Sequence, residues 1–205
     1  MEIQIASLKK VYGKKAALDG ITFSIGNGMY GLVGRNGAGK TTLMRILATL
    51  SRPSGGQVTF DGIPLEDTKK IRPFIGYLPQ EFSFYPDMTV LEVMRYLAAL
   101  SDIPGEVWRE RIPRLLRQVN LWEDRTKKAG KLSGGMKRRL GIAQALLDDP
   151  QVLLVDEPTA GLDPEERLRF YTLLDEFSGS RTVVVLKQSG SIYAGWWRNS
   201  SRRAA

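Results

Sequence analysis

Three short stretches of this chain carry residue types that work together in phosphate chemistry. The longest is Gly34-Arg35-Asn36-Gly37-Ala38-Gly39-Lys40-Thr41-Thr42, which fits the phosphate-loop pattern G-x-x-x-x-G-K-[ST]. Gly34, Gly37 and Gly39 permit a tight turn and leave backbone N–H groups free to face phosphate oxygens. Lys40 adds a point charge for the terminal phosphates, and the Thr41 hydroxyl is suited to holding Mg²⁺. The bland alternative is a Gly-rich turn that caps a helix. The flanks speak against it: residues 29–33 read as a short buried strand, and residues 41–47 as an amphipathic helix whose positive end points at the loop.

The second stretch is Val152-Leu153-Leu154-Val155-Asp156-Glu157, an apolar run of strand length ending in two acids. Asp156 at a strand tip can hold Mg²⁺ opposite Lys40 and Thr41. Glu157 beside it can orient or deprotonate an attacking water. Two solvated acids at a strand end are the plain alternative, and the phosphate loop upstream weighs against it. The third stretch is Leu132-Ser133-Gly134-Gly135-Met136. Ser133 offers a hydroxyl, and Gly134 and Gly135 expose N–H groups at a helix start, a second place for an anion. An ordinary Ser cap with a Gly hinge explains the same residues equally well.

These stretches need elements to hold them. Residues 3–8 and 18–25 alternate apolar and polar and read as strands, with Tyr12-Gly13 at a turn between them. Residues 58–60 form a short strand before Asp61-Gly62, and 75–78 a strand that ends at Pro79-Gln80. From Thr89 the period changes to helical, with Val90, Leu91, Val93, Met94, Leu97 and Leu100 on one face behind a Thr89 cap. A second helical stretch covers about 106–119, where Pro113 is expected to kink or restart the helix. Helices are also expected from 132 to 147 and from 164 to 177, and a buried strand at 182–186. Strands alternating with helices imply an α/β sheet with ligand beyond the strand C-terminal ends.

Length and composition set bounds. A chain of 205 residues suits one large domain, or a core with an inserted subdomain, and can bury a core without disulfides. There is no Cys, which excludes a disulfide framework and thiol chemistry. The first ten residues contain Glu2 and Gln4 and no apolar run, so no signal peptide is expected. No apolar stretch is long enough to span a bilayer, so the chain is expected to be soluble or peripheral. The net charge is +8, of which Lys187, Arg198, Arg202 and Arg203, with no acid after Leu186, supply four. The remainder is only mildly basic, and nucleic acid is not expected as a partner.

In this order the motifs resemble the nucleotide-binding domain of an ATP-binding cassette (ABC) transporter. The resemblance runs from Tyr12 to Asp163 and extends to about Leu186. Residues 34–42 resemble the Walker A loop, Gln80 the Q-loop glutamine, Leu132–Met136 the family signature (usually ending in Gln), 152–157 Walker B with its catalytic glutamate, and Gly161-Leu162-Asp163 the D-loop. The resemblance implies an α/β fold with a P-loop NTPase core and a mostly parallel sheet. It adds an N-terminal antiparallel β part and a helical subdomain inserted at about 86–145, all within a domain spanning 1–186.

The resemblance also implies roles. ATP and Mg²⁺ would be bound by the loop 34–42, with Lys40 catalytic as well, and Thr41, Gln80 and Asp156 at the metal. Tyr12 would stack on adenine, although a turn aromatic packing on the core is the simpler reading. Gln80 would sense the membrane subunit, and Glu157 would act as base. Ser133, Gly134 and Gly135 would meet the γ-phosphate bound to a second copy, and Asp163 would help join the two sites, unless it is only a helix cap before Pro164. Partners would be a second nucleotide-binding domain, identical or not, and separately encoded permease subunits. The chain would then be cytoplasmic and peripheral on the inner face of the plasma membrane. Met136 followed by Lys137-Arg138-Arg139 resembles the exporter branch.

One departure stands out. The family places a switch histidine just after the strand at 182–186, and this sequence contains no His. Lys187-Gln188-Ser189-Gly190 stands there instead. The remainder, with Tyr193, Trp196-Trp197 and Arg202-Arg203, has neither helical nor strand period, and residues 187–205 lack the family's further C-terminal elements. They read as an atypical basic tail, disordered or produced by an altered reading frame. Contact of its Trp and Arg with a membrane is a weaker idea. Three functions follow: the ATPase subunit of an exporter, an ATP-binding product with little hydrolysis, and a soluble ABC-type ATPase on nucleic acid or the ribosome. The absence of a second cassette or a long coiled-coil insert favours transport over the last.

Overall fold

The computed structural model describes residues 1–35, 37–157 and 162–188. In chain order its strands and helices are β1 (Ile3–Tyr12), β2 (Lys15–Ile25), β3 (Gly28–Gly34), α1 (Lys40–Leu47), β4 (Gly55–Phe60), β5 (Ile63–Pro64) and α2 (Thr68–Ile71). There follow β6 (Ile75–Leu78), α3 (Val90–Leu100), α4 (Gly105–Gln118), α5 (Gly134–Ala145), β7 (Val152–Asp156), α6 (Pro164–Ser178) and β8 (Thr182–Gln188). β1 pairs antiparallel with both β2 and β4, giving a sheet in the order β2-β1-β4-β5. The second sheet has the order β3-β8-β7-β6, and every pairing in it is parallel. The α/β expectation therefore holds in both of its sheets.

β7 explains why the parallel sheet is central. All five of its residues are buried, the pattern of a strand covered on both faces. Its side chains divide between two cores. Leu153 and Val155 pack with helical residues such as Met94, Leu116, Leu140 and Leu174. Val152 and Leu154 pack with Met44 and Ile46 of α1 and with Ile3, Ile5 and Phe60 of the antiparallel sheet. A strand buried on both sides is thus the partition between two hydrophobic layers.

Between β6 and β7 the chain forms α3, α4 and α5, where the helical insertion was expected. Thr89 caps α3 as its sequence suggests. The Thr89 Oγ1 accepts from the Glu92 backbone N–H, and the Glu92 carboxylate accepts from the Thr89 backbone N–H at 2.7 Å. The helix does not restart at Pro113, because α4 runs from Gly105 to Gln118 with Pro113 inside it. Proline removes one hydrogen bond and strains the preceding turn, at roughly 3 kcal/mol. Ile112, Leu115 and Leu116 are all buried on that helix, and their burial, at about 1.5–3 kcal/mol each, outweighs the loss.

The strand expected to end at Leu186 continues to Gln188. Of the atypical tail expected at 187–205, Lys187 and Gln188 instead complete β8, pairing in parallel with Val33 and Gly34, and the rest lies outside the described residues. Among the described residues no helix is long and apolar enough to cross a membrane.

Leu116 is fully buried at the centre of the helical core. Leu116→Ala is expected to destabilise the protein by about 3 kcal/mol through lost transfer energy and a residual cavity. Urea unfolding measures this, and a loss below about 1 kcal/mol would show that the helical layer collapses around the gap.

Candidate functional site

Because β3, β8, β7 and β6 run parallel, their C-terminal ends share one edge. Gly34 ends β3, Asp156 ends β7 and Leu78 ends β6 two residues before Gln80. With one strand between β3 and β7, the loop and the acid lie about 10 Å apart across the sheet. The candidate site gathers at this edge.

The loop after β3 turns back on itself. The Lys40 Nζ donates to the Gly34 carbonyl at 2.6 Å and to the Arg35 carbonyl at 2.9 Å, and the Ala38 N–H donates to Arg35 O at 3.1 Å. Gly37 and Gly39 both have φ 83°, the left-handed region that favours glycine. Gly39 has a second reason to be glycine. A Cβ there would collide with the Ala17 carbonyl oxygen and lie 2.7 Å from Leu18 Cδ2, so the loop packs directly on β2. Gly39 is also the residue before α1, which no side chain caps. Its first-turn N–H groups, with Thr41 and Thr42 among them, are therefore available to an anion. Asn36, the remaining loop residue, lies outside the described residues.

Tyr12 stands at the end of β1, half exposed. The Ser51 hydroxyl first, and the Thr42 hydroxyl and the Lys10 and Arg45 charges after it, hold its phenol below the ordinary value of 10.0. Lys10 Nζ sits 5.0 Å from the ring centroid. The expected aromatic is therefore beside the phosphate loop, with an open ring.

At the tip of β7, Asp156 is only 2 % exposed. Its Oδ1 has no hydrogen-bond partner among the described residues. Burial first, and the Glu157 charge second, push its carboxyl above the ordinary 3.8, against the opposing charges of Arg138 and Lys40. Glu157 follows at φ 47°, a left-handed conformation costing a non-Gly residue about 1–2 kcal/mol. Its N–H donates to Leu186 O at 3.1 Å, which holds the strained turn. Gln80 Nε2 donates to Glu157 Oε2 at 2.9 Å, so two residues 77 positions apart meet.

An orphaned, buried carboxylate oxygen is what a hard cation would satisfy, and Asp156 Oδ1 fits Mg²⁺ on that ground. Among the described residues no group of three or more His, Cys, Asp or Glu could hold a metal alone. A small cation here would need phosphate oxygens as well, as Mg²⁺ commonly does.

Ser133 and Asp163 sit elsewhere. Ser133 caps α5, accepting from the Met136 N–H at 3.2 Å. Asp163 caps α6, where its Oδ1 accepts from the Glu166 N–H at 2.8 Å. Both simpler cap readings are thus realised. Gly134 is open, whereas a Cβ on Gly135 would strike the Glu166 carboxylate. Among the described residues no hydrogen bond or ion pair joins 133–135 to the phosphate loop. Gly161 lies outside the described residues. The residue that sequence reasoning missed is Arg138, whose charge acts on Asp156 and Glu157. In the sequence the run Lys137-Arg138-Arg139 reads only as a resemblance to the exporter branch.

A phosphate loop and an acid-tipped central strand on a parallel sheet define a P-loop nucleotide-binding fold. Residues 18–160 match the family described as ABC transporter. The probable multidrug ABC transporter ATP-binding protein YbhF of Escherichia coli (strain K12) is 41% identical over 160 residues, covering 78% of this chain and 28% of that protein. The Nod factor export ATP-binding protein I of Ralstonia nicotianae is 36% identical over 186 residues, 90% of this chain and 58% of that protein. Among solved structures, the dimeric structure of MJ0796, a bacterial ABC transporter cassette, superposes with a TM-score of 0.80 at 29% identity, covering 90% of this chain and 87% of that one. The chain belongs to the ABC transporter family. It spans 28% and 58% of the lengths of these two relatives.

A carboxyl whose pKa is raised by folding binds its proton more tightly in the folded state, so ionising it costs stability at neutral pH. Asp156→Asn is therefore expected to raise the Tm of the nucleotide-free protein at pH 7. The gain should shrink as the pH falls toward the ordinary 3.8. Thermal melts in EDTA across pH 4.5–8 test this, and an unchanged or lower Tm at pH 7 would contradict it.

Proposed function

We propose that this chain is the ATP-binding and ATP-hydrolysing subunit of an ABC exporter. It would work as a dimer beneath separately encoded permease subunits on the cytoplasmic face of the membrane, with no nucleic-acid partner. The observation that carries the reading is the meeting at one sheet edge of a self-closed loop holding Lys40, a buried unpartnered Asp156, and Glu157 bound to Gln80. Export rests on the names of the relatives, which include a multidrug protein and a Nod factor export protein. The dimer rests on the MJ0796 cassette, whose solved structure is dimeric.

In this reading Lys40 exchanges the Gly34 and Arg35 carbonyls for the terminal phosphates of ATP. The N–H groups of the loop and of the first turn of α1 cradle the remaining oxygens. The Tyr12 ring stacks on adenine. Thr41, Asp156 and Gln80 would hold Mg²⁺, which neutralises charge developing on the phosphates. Glu157 accepts the proton of the attacking water, and its strained backbone fixes the carboxylate against the sheet edge. Ser133, Gly134 and Gly135 meet the nucleotide of the second subunit, and Asp163 lies where the two sites join. The domain is assigned to 1–186, with its helical subdomain at about 86–145.

A second reading has its own observation. The sequence contains no His, so no imidazole links the γ-phosphate, water and Glu157. Losing one positioned group at such a centre costs on the order of a hundredfold in turnover. The chain would then bind ATP and hydrolyse it very slowly.

One set of measurements on the purified chain tests both readings. Lys40→Ala should abolish ATP binding. Glu157→Gln should keep the ATP Kd within about twofold, lose most turnover because an amide accepts no proton, and favour the ATP-bound dimer. Brisk wild-type turnover would remove the second reading. Unchanged ATP affinity in Lys40→Ala would remove both.

A further inference from the structure

The basic run in α5 includes a residue that ordinary helix logic does not explain. Gly134, Arg138 and Gly141 fall at i, i+4 and i+7, one face of the helix. That face is open at Gly134 and closed at Gly141. A Cβ on Gly141 would lie 2.7 Å from Leu78 Cδ1 and 2.8 Å from Phe82 Cζ, so the helix presses on the end of β6 and on the loop that carries Gln80. Arg138 stands between the two glycines. Its guanidinium lies 5.4 Å from the Phe82 ring centroid. Its Nη1 is buried and has no hydrogen-bond partner among the described residues.

A guanidinium is an expensive way to fill space. Burial works against its charge, and the charges that work for it are Glu157 first and Asp156 second. The effect is reciprocal at Asp156, where Arg138 opposes the upward push of burial. Met or Leu would cover Phe82 without that desolvation cost. Arg at this point makes physical sense as the counter-charge to the two acids. Lys40 is the other cation acting on Asp156, from the opposite side of the site.

We propose that Arg138 is a positioning residue that sets the Glu157 carboxylate from the signature helix and clamps the Gln80–Phe82 segment against it. Three parts of the site that are distant in sequence then move as one unit: the helix opened by Ser133, the loop that carries Gln80, and the acid pair at the tip of β7. The Gln80–Glu157 hydrogen bond at 2.9 Å closes this arrangement. Any force that turns α5 is thereby felt at Glu157. The proposal rests on the reading of Glu157 as base for its effect on turnover, but not for the link through Phe82 and Gln80.

Two measurements separate these. The first is a double-mutant cycle of Arg138→Gln with Glu157→Gln, read by urea unfolding of the nucleotide-free chain. It requires no hydrolysis. A coupling of about threefold or more in the unfolding equilibrium is expected, and strictly additive effects would overturn the proposal. The second compares turnover and ATP affinity in wild type, Arg138→Gln and Arg138→Lys. Arg138→Gln should lose about tenfold or more in kcat with the ATP Kd within about twofold, and Arg138→Lys should restore most of that loss. Equal loss in both variants, or kcat and affinity falling together, would show a packing role only and overturn it. Coupling in the cycle with no turnover in any protein, wild type included, would support the positioning link while removing the hydrolysis reading.

Discussion

A carboxylate that folding makes costly sits at the tip of a strand buried on both faces. Asp156 is held there by β7, whose other four residues are entirely apolar. The same two-sided burial that anchors β7 puts its last residue where water is scarce. Desolvation raises the pKa of the carboxyl, and the adjacent Glu157 raises it further. The neighbours follow from this constraint. Lys40 and Arg138 supply positive charge from two sides, and Gln80 takes up Glu157 at 2.9 Å. The helical layer on one side and α1 with the antiparallel sheet on the other keep both faces of β7 dry.

The phosphate loop answers the opposite problem. It must hold a cation and free N–H groups with no anion present. Lys40 is satisfied by the Gly34 and Arg35 carbonyls, so the loop keeps its shape through its own charged residue. Gly39 fixes the loop from below, because its lack of a Cβ lets the turn rest on Ala17 and Leu18 of β2. Pre-organisation of this kind reduces the ordering cost of binding. The acid side of the site is strained and poorly solvated, and the loop side is satisfied and rigid.

Much of this was legible in the sequence, for local reasons. Thr89 with Glu92, and Asp163 before Pro164, are cap signatures that act within one turn, and both helices start where those residues say. The apolar run at β7 and the glycine spacing at 34–39 are equally local. The illegible features depend on partners far away in the chain. Pro113 was expected to kink or restart α4, but Ile112, Leu115 and Leu116 find a buried face and the helix continues through it without a restart. The left-handed backbone at Glu157 depends on a bond to Leu186. The 2.9 Å bond from Gln80 spans 77 positions. The role of Arg138 appears only when α5 is placed against Phe82 and the acids.

The two helix caps show why a simple structural reading and a functional one need not compete. Ser133 uses an oxygen lone pair to accept from the Met136 N–H, and a hydroxyl that accepts in this way still has its proton to donate. The cap therefore fixes the hydroxyl at the positive end of α5, where donation to an anion is favoured. Asp163 engages the Glu166 N–H through Oδ1. Its second oxygen has no hydrogen bond to any other described residue. Glu166 then reaches α5, with its carboxylate over Gly135 and 3.8 Å from Arg139 Nη2. A cap on one helix is in this way tied to the first turn of the other. Ser133, Gly135 and Asp163 are in this way linked through contacts that need no ligand.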